Sequence, residues 1–505
     1  MSKIVEAKPL TPRSPLLAAV AAVTLVAAGA QAQTTWTGNG ADNNWSTDGN
    51  WDPSEPTGGQ ADLDNGDTIL IDQAGEQAGR FDVGEFNTLG GTLEIVGGDL
   101  TSNFRFGVLD GSIGNLIMTG GTLTTNAGAS AGNNAQLDAV FGVNGTGTAS
   151  ITNATLIADS VNVGNFGTAT FTVGTGGTVT NDVSFSVARN AGSTGTATVD
   201  GGTITVGNNA FVGRGGVGTF NLNAGGLFDV GGNLFIGTNS VGTLNQSGGD
   251  ATYSGLVLGD LATTDGRGDG RYNLSGGTVT VVGAGTDQNA NLIVGREGDG
   301  AFDQSGGTVT VGTSADTASL FVGSLGGSNG SYAISGGLLD ISGDLNVAGA
   351  TSSNAGRDGE SDVVGEFLVD GTGGTILVGG NLLANPGDLA DSSVADSRSS
   401  VMSFVLNADG DVSTIDVAGT AFMNGAIINI DDVLDGATEG DVIDLVTAAG
   451  GFNGTYMLAD EDAGVYSLAV VGNTLQATVT AIPEPTSVTL LGLAGLGLLA
   501  RRRRK

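Results

Sequence analysis

Along most of this chain, apolar residues fall at every second position in short runs, and the runs come in groups of three. Residues 220–243 read FNLNAGGLFDVGGNLFIGTNSVGT. A short alternating run meets a Gly-Gly step; a second run follows (Phe228, Val230), then an Asn, a third run (Leu234, Ile236) and a glycine-rich corner. The same order returns in 272–295, 302–323 and 332–349, headed by YNLSGGTVTV, FDQSGGTVTV and YAISGGLLDI. Alternation with period two predicts strands, and paired glycines and Asn predict turns. Units repeating every 20–50 residues cannot bury an apolar face alone, so they stack. The pattern predicts an all-β fold, a right-handed parallel β-helix (β-solenoid).

Gly-Gly steps mark the coils at 90–91, 120–121, 176–177, 201–202, 225–226, 248–249, 276–277, 306–307, 336–337 and 373–374. Asn153-Ala154 fills the gap between the second and third steps, giving about eleven coils. At a strand spacing of roughly 4.8 Å the stack is on the order of 50 Å long. Positions two and four after the glycines are apolar (Ile204/Val206, Val279/Val281, Val309/Val311, Ile376/Val378) and are expected to point inward. The third run has its own inward pairs, Ala210/Val212, Leu234/Ile236, Leu292/Val294 and Leu320/Val322. Between the members of each pair stand Phe211, Phe235, Ile293 and Phe321, which the same geometry puts on the outer face. An outer stripe of Phe and Ile needs a cover: long loops, the C-terminal segment, or a partner.

The flanks break this pattern. Residues 1–32 read as a secretory signal: Lys3, Lys8 and Arg13 precede the apolar run 16–28, and Ala30-Gln31-Ala32 offers a cleavage site before Gln33. Residues 33–68 hold all three tryptophans, Trp36, Trp45 and Trp51, on Asn-, Gly- and Asp-rich turns. They read as a cap over the open end of the core, with sugar stacking as the alternative. The solenoid repeats occupy 69–384, and 385–400 is a polar connector without alternation. Residues 401–481 form a C-terminal all-β segment with strands expected at 401–406, 412–417, 426–430, 442–446, 466–471 and 474–479, capping the stack or packed beside it. Residues 482–505 are the tail.

Charge narrows the partners. The chain's formal charge is −35. Between residues 33 and 482 stand nine arginines and no lysine against 50 acidic residues, a net of −41. Such a surface repels nucleic acid and anionic lipid. Cysteine and histidine are both absent, which excludes disulfides, Cys/His zinc sites and Ser-His-Asp or Cys-His catalysis. With 91 glycines but no G-X-Y period the chain is not collagen-like, and 39% apolar residues in regular runs set it apart from a disordered chain. Low aromatic content suits a narrow core of Val, Ile and Leu.

Few motifs carry chemistry. Arg267-Gly268-Asp269 is a tripeptide that chance supplies in a Gly- and Asp-rich chain. Residues 407–411, NADGD, resemble part of a calcium loop but lack the distal Glu. No metal site and no resident cofactor is expected, only weak, adventitious Ca2+ binding from carboxylate density. Arg189, Arg214 and Arg296 each sit one residue past a third strand, and Arg267, Arg271 and Arg357 are expected in longer loops at that corner. The three are expected in a row along one edge, though not in adjacent coils. They either neutralise neighbouring carboxylates or bind an anionic polysaccharide. No coil departs from the others as a grafted active site would, so no catalytic residue is assigned. The alternative is a polysaccharide lyase or glycoside hydrolase on the same fold.

The tail carries a resemblance. Pro483-Glu484-Pro485, an apolar run at 486–500, and Arg501, Arg502, Arg503 and Arg504 before Lys505 resemble the PEP-CTERM sorting signal of Gram-negative bacteria. That resemblance implies cleavage by an exosortase, transient membrane contact through a C-terminal helix, and association with exopolysaccharide and biofilm. The body also resembles, more loosely, autotransporter-type β-helical passenger regions. Together these imply a secreted structural or adhesive protein at the cell surface or in the extracellular matrix, with exopolysaccharide as partner.

Overall fold

The computed structural model describes residues 33–125, 138–260, 268–283, 290–313, 315–325, 327–349, 363–384, 398–431 and 438–481. Among them the chain is all-β, with no α-helix and a single 3-10 turn at Asp48–Asn50. The strands join in one hydrogen-bonded network. Its pairings are mostly parallel, and outside the antiparallel pairs at the two ends the strands pair with their counterparts one repeat away, as a β-solenoid requires.

Three ladders run through the stack. The first passes through Thr194–Asp200, Val217–Leu222, Val241–Gln246 and Asp269–Leu274. The second includes Thr203–Val206, Thr278–Val281 and Thr308–Val311. The third includes Asn209–Val212, Leu292–Val294 and Leu320–Val322. Second and third runs are sometimes one bent strand, as in Leu227–Ile236, where a register shift falls between Val230 and Asn233. A bulge there turns the strand without breaking it.

Phase is as the alternation predicts. Ile204, Val206, Val279, Val281, Val309 and Val311 are fully buried, and so are Ala210, Leu234, Ile236, Leu292, Val294, Leu320 and Val322. Each Val, Ile and Leu among them contributes about 1.5–3 kcal/mol by leaving water. The core differs from the expected Val/Ile/Leu filling in one respect: it stacks rings. Tyr272, Phe302, Tyr332 and Phe367 occupy one inward column, with successive centroids 4.7, 4.8 and 5.5 Å apart and nearly parallel planes. The coil spacing is close to the separation at which offset rings attract, so a column of rings packs without a void.

Asn153 takes φ 51°, and Thr178 donates its backbone N–H to the Ala154 carbonyl as Thr203 does to Gly177. Asn-Ala therefore turns the same corner that Gly-Gly turns one repeat later. Gly90-Gly91 does not belong to that set. Gly91 pairs with Gly114 at the start of the first-ladder strands Gly91–Ile95 and Ile113–Met118, and Gly97-Gly98 holds the marker corner, where Thr122 donates to the Gly98 carbonyl.

The N-terminal tryptophans close the core. Trp51 contacts Trp36 and Trp45 edge-on at 5.0 and 4.8 Å, Trp45 leans on Phe81 at 5.4 Å, and all three are buried. Buried rings offer no face for a sugar to stack upon.

Near residue 400 the sequence pattern changes but the ladders do not. Arg398–Val405 pairs in parallel with Val363–Asp370, Ile415–Val417 with Gly374–Val378, and Ala421–Asp431 with both Leu382–Ala384 and Arg398–Val405. Phe452–Leu458, a strand the alternation misses, adds to Ala421–Asp431. Antiparallel pairing ends the stack: Thr474–Val479 lies between Val442–Ala448 and Tyr466–Val471.

Candidate functional site

The outer face of the third ladder changes chemistry along the stack. Its middle column reads Asp62, Asp82, Arg105 and Val140 near the N-terminus, then Asn162, Ser186, Phe211, Phe235, Val257, Ile293 and Phe321. Phe211 and Phe235 stack at 5.3 Å with 12° between planes. Phe235, Val257 and Ile293 form a second apolar cluster flanked by Phe211 and Phe321, separate from the inner core. Val257 and Ile293 are buried in the single chain, so the centre of the outer stripe is not open to solvent.

The corner after this ladder requires a left-handed backbone. Ala188 (φ 56°) and Gly213 (φ 72°) hold equivalent places. At Gly213 a Cβ would run into the Val241 carbonyl, so this turn needs glycine. The next residue projects from the corner: Arg189 in one rung, Arg214 in the next, then Thr238, Asp260 and Arg296. Two expectations from sequence are corrected here. Arg189 and Arg214 occupy adjacent rungs, because Val187 pairs directly with Val212. Arg271 is not at the corner; it lies within Asp269–Leu274, facing outward beside Thr243 and Ala301. Arg267 and Arg357 lie outside the described residues.

Electrostatics separates the three corner arginines. Arg296 Nη1 lies 3.5 Å from Oδ1 of Asp260, one rung below, and is neutralised there. Arg189 Nη1 donates to Asn162 Oδ1 at 3.3 Å. The guanidinium of Arg214 lies over the Phe211 ring, 4.6 Å from its centroid. Among the described residues no carboxylate pairs with Arg214. Its pKa is pushed down, first by partial desolvation and then by the Arg189 charge. An arginine remains charged through such a shift. Arg189 and Arg214 thus place two guanidinium groups one rung apart beside an aromatic shelf, on a chain of net charge −35.

A second cluster escaped the sequence reading. Asp82 accepts from Arg80 Nε at 2.6 Å and from Arg105 Nε and Nη2 at 2.6 and 2.7 Å. Glu85 lies 3.4 Å from Arg105 Nη2, and Gln60 Nε2 donates to Asp62, Asp82 and Glu85. Asp62 and Asp82 are wholly buried. Burial first, then the Asp82 charge and hydrogen bonds to Asp62 and Asp82, raises Glu85 to about 7. Burial also raises Asp64. Asp62, Asp82 and Glu85 offer oxygens within 4.8 Å of one another, close enough to share a cation, but the two arginines already stand among them. The signal was legible: QADL, RFDV and NFRF are third runs with charge at their outer positions.

The remaining sequence candidates fall at the termini. Gln33 is exposed, and its Nε2 donates to Asp62 Oδ2 at 2.6 Å. Ala30, Ala32, Pro483, Glu484, Pro485 and Arg501–504 lie outside the described residues, as does the expected C-terminal helix. Among the described residues no helix is long and apolar enough to cross a membrane. The NADGD segment is a self-contained turn: Asn407 Oδ1 accepts from the N–H of Asp409 and Asp411, each at 2.9 Å.

Fold and corner together define a repetitive all-β protein with a chemically varied surface. Residues 481–505 match the PEP-CTERM protein-sorting motif. That motif marks an exported, exosortase-targeted protein associated with the cell envelope. No curated protein and no solved structure is detectably similar to the chain.

Proposed function

We propose that the protein is a non-catalytic structural or adhesive β-helix of the cell surface or extracellular matrix, binding an acidic exopolysaccharide at the Arg189/Arg214 corner. In this reading the stack is right-handed with about eleven marked coils, and its body is of the autotransporter passenger kind. The exosortase removes the tail after transient membrane contact, leaving the stack in a biofilm matrix. No cofactor takes part, and Ca2+ binding is weak and spread over exposed carboxylates.

The observation that carries the proposal is Arg214, which holds no carboxylate partner among the described residues of a strongly acidic chain. Two guanidinium groups one rung apart suit carboxylate or sulfate groups repeating along a polymer. Exposed contacts of this kind are individually weak and add through multivalency. The test uses polygalacturonate immobilised on a column. The Arg189→Gln/Arg214→Gln double variant is expected to lose retention several-fold, and added salt to elute the wild type. Arg296→Gln, which breaks only the pair with Asp260, is expected to leave retention unchanged. Equal retention of wild type and double variant overturns the proposal.

A further inference from the structure

The outer side of the first ladder carries a groove whose chemistry is opposite to that of the arginine corner. Its volume is about 440 Å³, and it runs along five consecutive first-ladder rungs, from Val241–Gln246 to Val363–Asp370. At the spacing of roughly 4.8 Å per rung, it is about 19 Å long. One wall is a row of hydroxyls, Ser247, Ser275, Ser305 and Ser335, one from each successive rung. No lysine or arginine lines it, and Asp303 and Asp370 make it anionic.

A ladder of amides enters the groove and stops inside it. Asn245 Nδ2 donates to Asn221 Oδ1 at 3.0 Å, and Asn273 Nδ2 donates to Asn245 Oδ1 at 2.8 Å. The next rung puts Asp303 opposite Asn273. A carboxylate oxygen accepts and does not donate, so Asn273 Oδ1 and the Asp303 carboxylate stand in register as two acceptors with no hydrogen bond between them. What completes that rung is a donor. Beyond it the column becomes Ala333 and Leu368, a small apolar step.

We propose that this groove binds an extended, uncharged polysaccharide lying along the stack axis. Sugar hydroxyls supply the donors that the Asn273–Asp303 rung lacks, and they donate as well to the Ser row, whose Ser247, Ser275 and Ser305 hydroxyls already donate at 3.4 Å to Asn223 Oδ1 and to the Gln246 and Leu274 carbonyls. The C–H face of a ring covers Ala333 and Leu368. Repulsion by Asp303 and Asp370 rejects a polyanion from the groove, so its ligand differs from that of the arginine corner. Strands and ladder hydrogen bonds hold the rungs rigid, and little order is lost on binding. This inference is independent of the anionic-polymer reading.

The experiment is affinity electrophoresis of the full chain in native gels containing hydroxyethylcellulose, a soluble mannan or dextran. Retardation is expected in at least one gel, and it should survive added salt. Ser305→Tyr, which fills the groove from an exposed corner, is expected to weaken apparent affinity at least about tenfold. Asp303→Ala removes the facing acceptor and is expected to weaken it as well. Melting temperatures of both variants should match the wild type, showing that the stack is intact. The Arg189→Gln/Arg214→Gln variant should run as the wild type in the same gel. Absence of retardation in all three gels overturns the proposal, and so does retardation that Ser305→Tyr leaves unchanged. Retardation abolished by salt or by the arginine variant assigns the sugar to the corner instead, and likewise overturns it.

Discussion

The guanidinium carbon of Arg214 lies 4.6 Å from the centroid of the Phe211 ring, three residues back in the same rung. The ring holds the cation at the corner, where a free arginine would sample solvent. A cation over an exposed ring is stabilised by about 0.5–1 kcal/mol. Phe211→Leu keeps an apolar side chain in the outer column but removes the aromatic face. Expected is weaker polygalacturonate retention than wild type but stronger than Arg214→Gln, with faster hydrogen exchange confined to the rungs around Asn209–Val212. Retention unchanged by Phe211→Leu removes the ring from the site.

Inward and outward phases can be separated one residue apart. Val309 is wholly buried between Val279 and Leu339 in its column, while Thr308 faces outward between Thr278 and Leu338. An aspartate at 309 is a buried, unpaired charge and costs several kcal/mol. Val309→Asp is expected to lower the melting temperature sharply, and Thr308→Asp to leave it nearly unchanged. Thr278 is a poorer control, because it donates to Asp250 at 2.6 Å and a carboxylate there would repel it. Equal melting of the two variants contradicts the register.

Much of this was legible because a solenoid reuses one local rule. Period-two alternation identified Val279, Val309, Leu234 and Leu320 as inward without any knowledge of what they touch. Register was harder, since loops between rungs vary in length. Arg189 and Arg214 prove to be neighbours, while Arg296 lies three rungs beyond Arg214. The Gly90-Gly91 step looked like the others, and only pairing shows that Gly97-Gly98 is the true equivalent. That false phase hid the Asp62–Asp82–Arg105 column, because its charges belong together only when three strands are aligned. Phe452–Leu458 has a Gly and little alternation, and it is a strand because Ala421–Asp431 offers an edge.

The buried acids of the first rungs predict a pH dependence. Glu85 is raised to about 7, chiefly by burial. Glu76 is also raised to about 7, first by burial and then by a hydrogen bond with Glu55. A folded-state pKa above the unfolded value means that the folded chain holds the proton more tightly. The resulting stabilisation is full below the usual carboxylate range and is lost as pH rises through about 7. Hydrogen-exchange protection of Gln60–Leu63 and Glu76–Val83, taken relative to the intrinsic base-catalysed rate, is therefore expected to fall between about pH 5 and pH 8. Glu85→Gln, neutral at every pH, should flatten that slope in the Glu85 cluster. An unchanged slope means that Glu85 does not hold the proton.

Processing leaves a mass signature. The Ala30-Gln31-Ala32 site and the sorting motif at 481–505 predict a mature chain beginning near Gln33 and ending near Pro483. Intact-mass measurement on protein from the native host checks both ends. Bulk protein that retains Arg501–Lys505 contradicts cleavage at the sorting motif.

The column of rings carries a polar bond inside an apolar core. The Tyr332 hydroxyl donates to Gln304 Oε1 at 2.6 Å, both groups buried, and Gln304 Nε2 donates to the Leu338 carbonyl at 2.9 Å. Tyr332→Phe leaves Gln304 Oε1 without its donor in a dry interior, at a cost of about 1–3 kcal/mol. The repeat supplies its own control. Leu274, one rung before Gln304, holds the same column position, and Ile334 holds it one rung after. Leucine at 304 thus fits the column, and Tyr332→Phe/Gln304→Leu removes both partners together. The double variant is expected to recover most of the stability lost by Tyr332→Phe, the residual cost being the Leu338 carbonyl left without its side-chain donor. A double-mutant cycle read by chemical denaturation measures the coupling, expected at about 1 kcal/mol or more. Additive losses from the two single variants would show that the hydroxyl and the amide do not depend on one another.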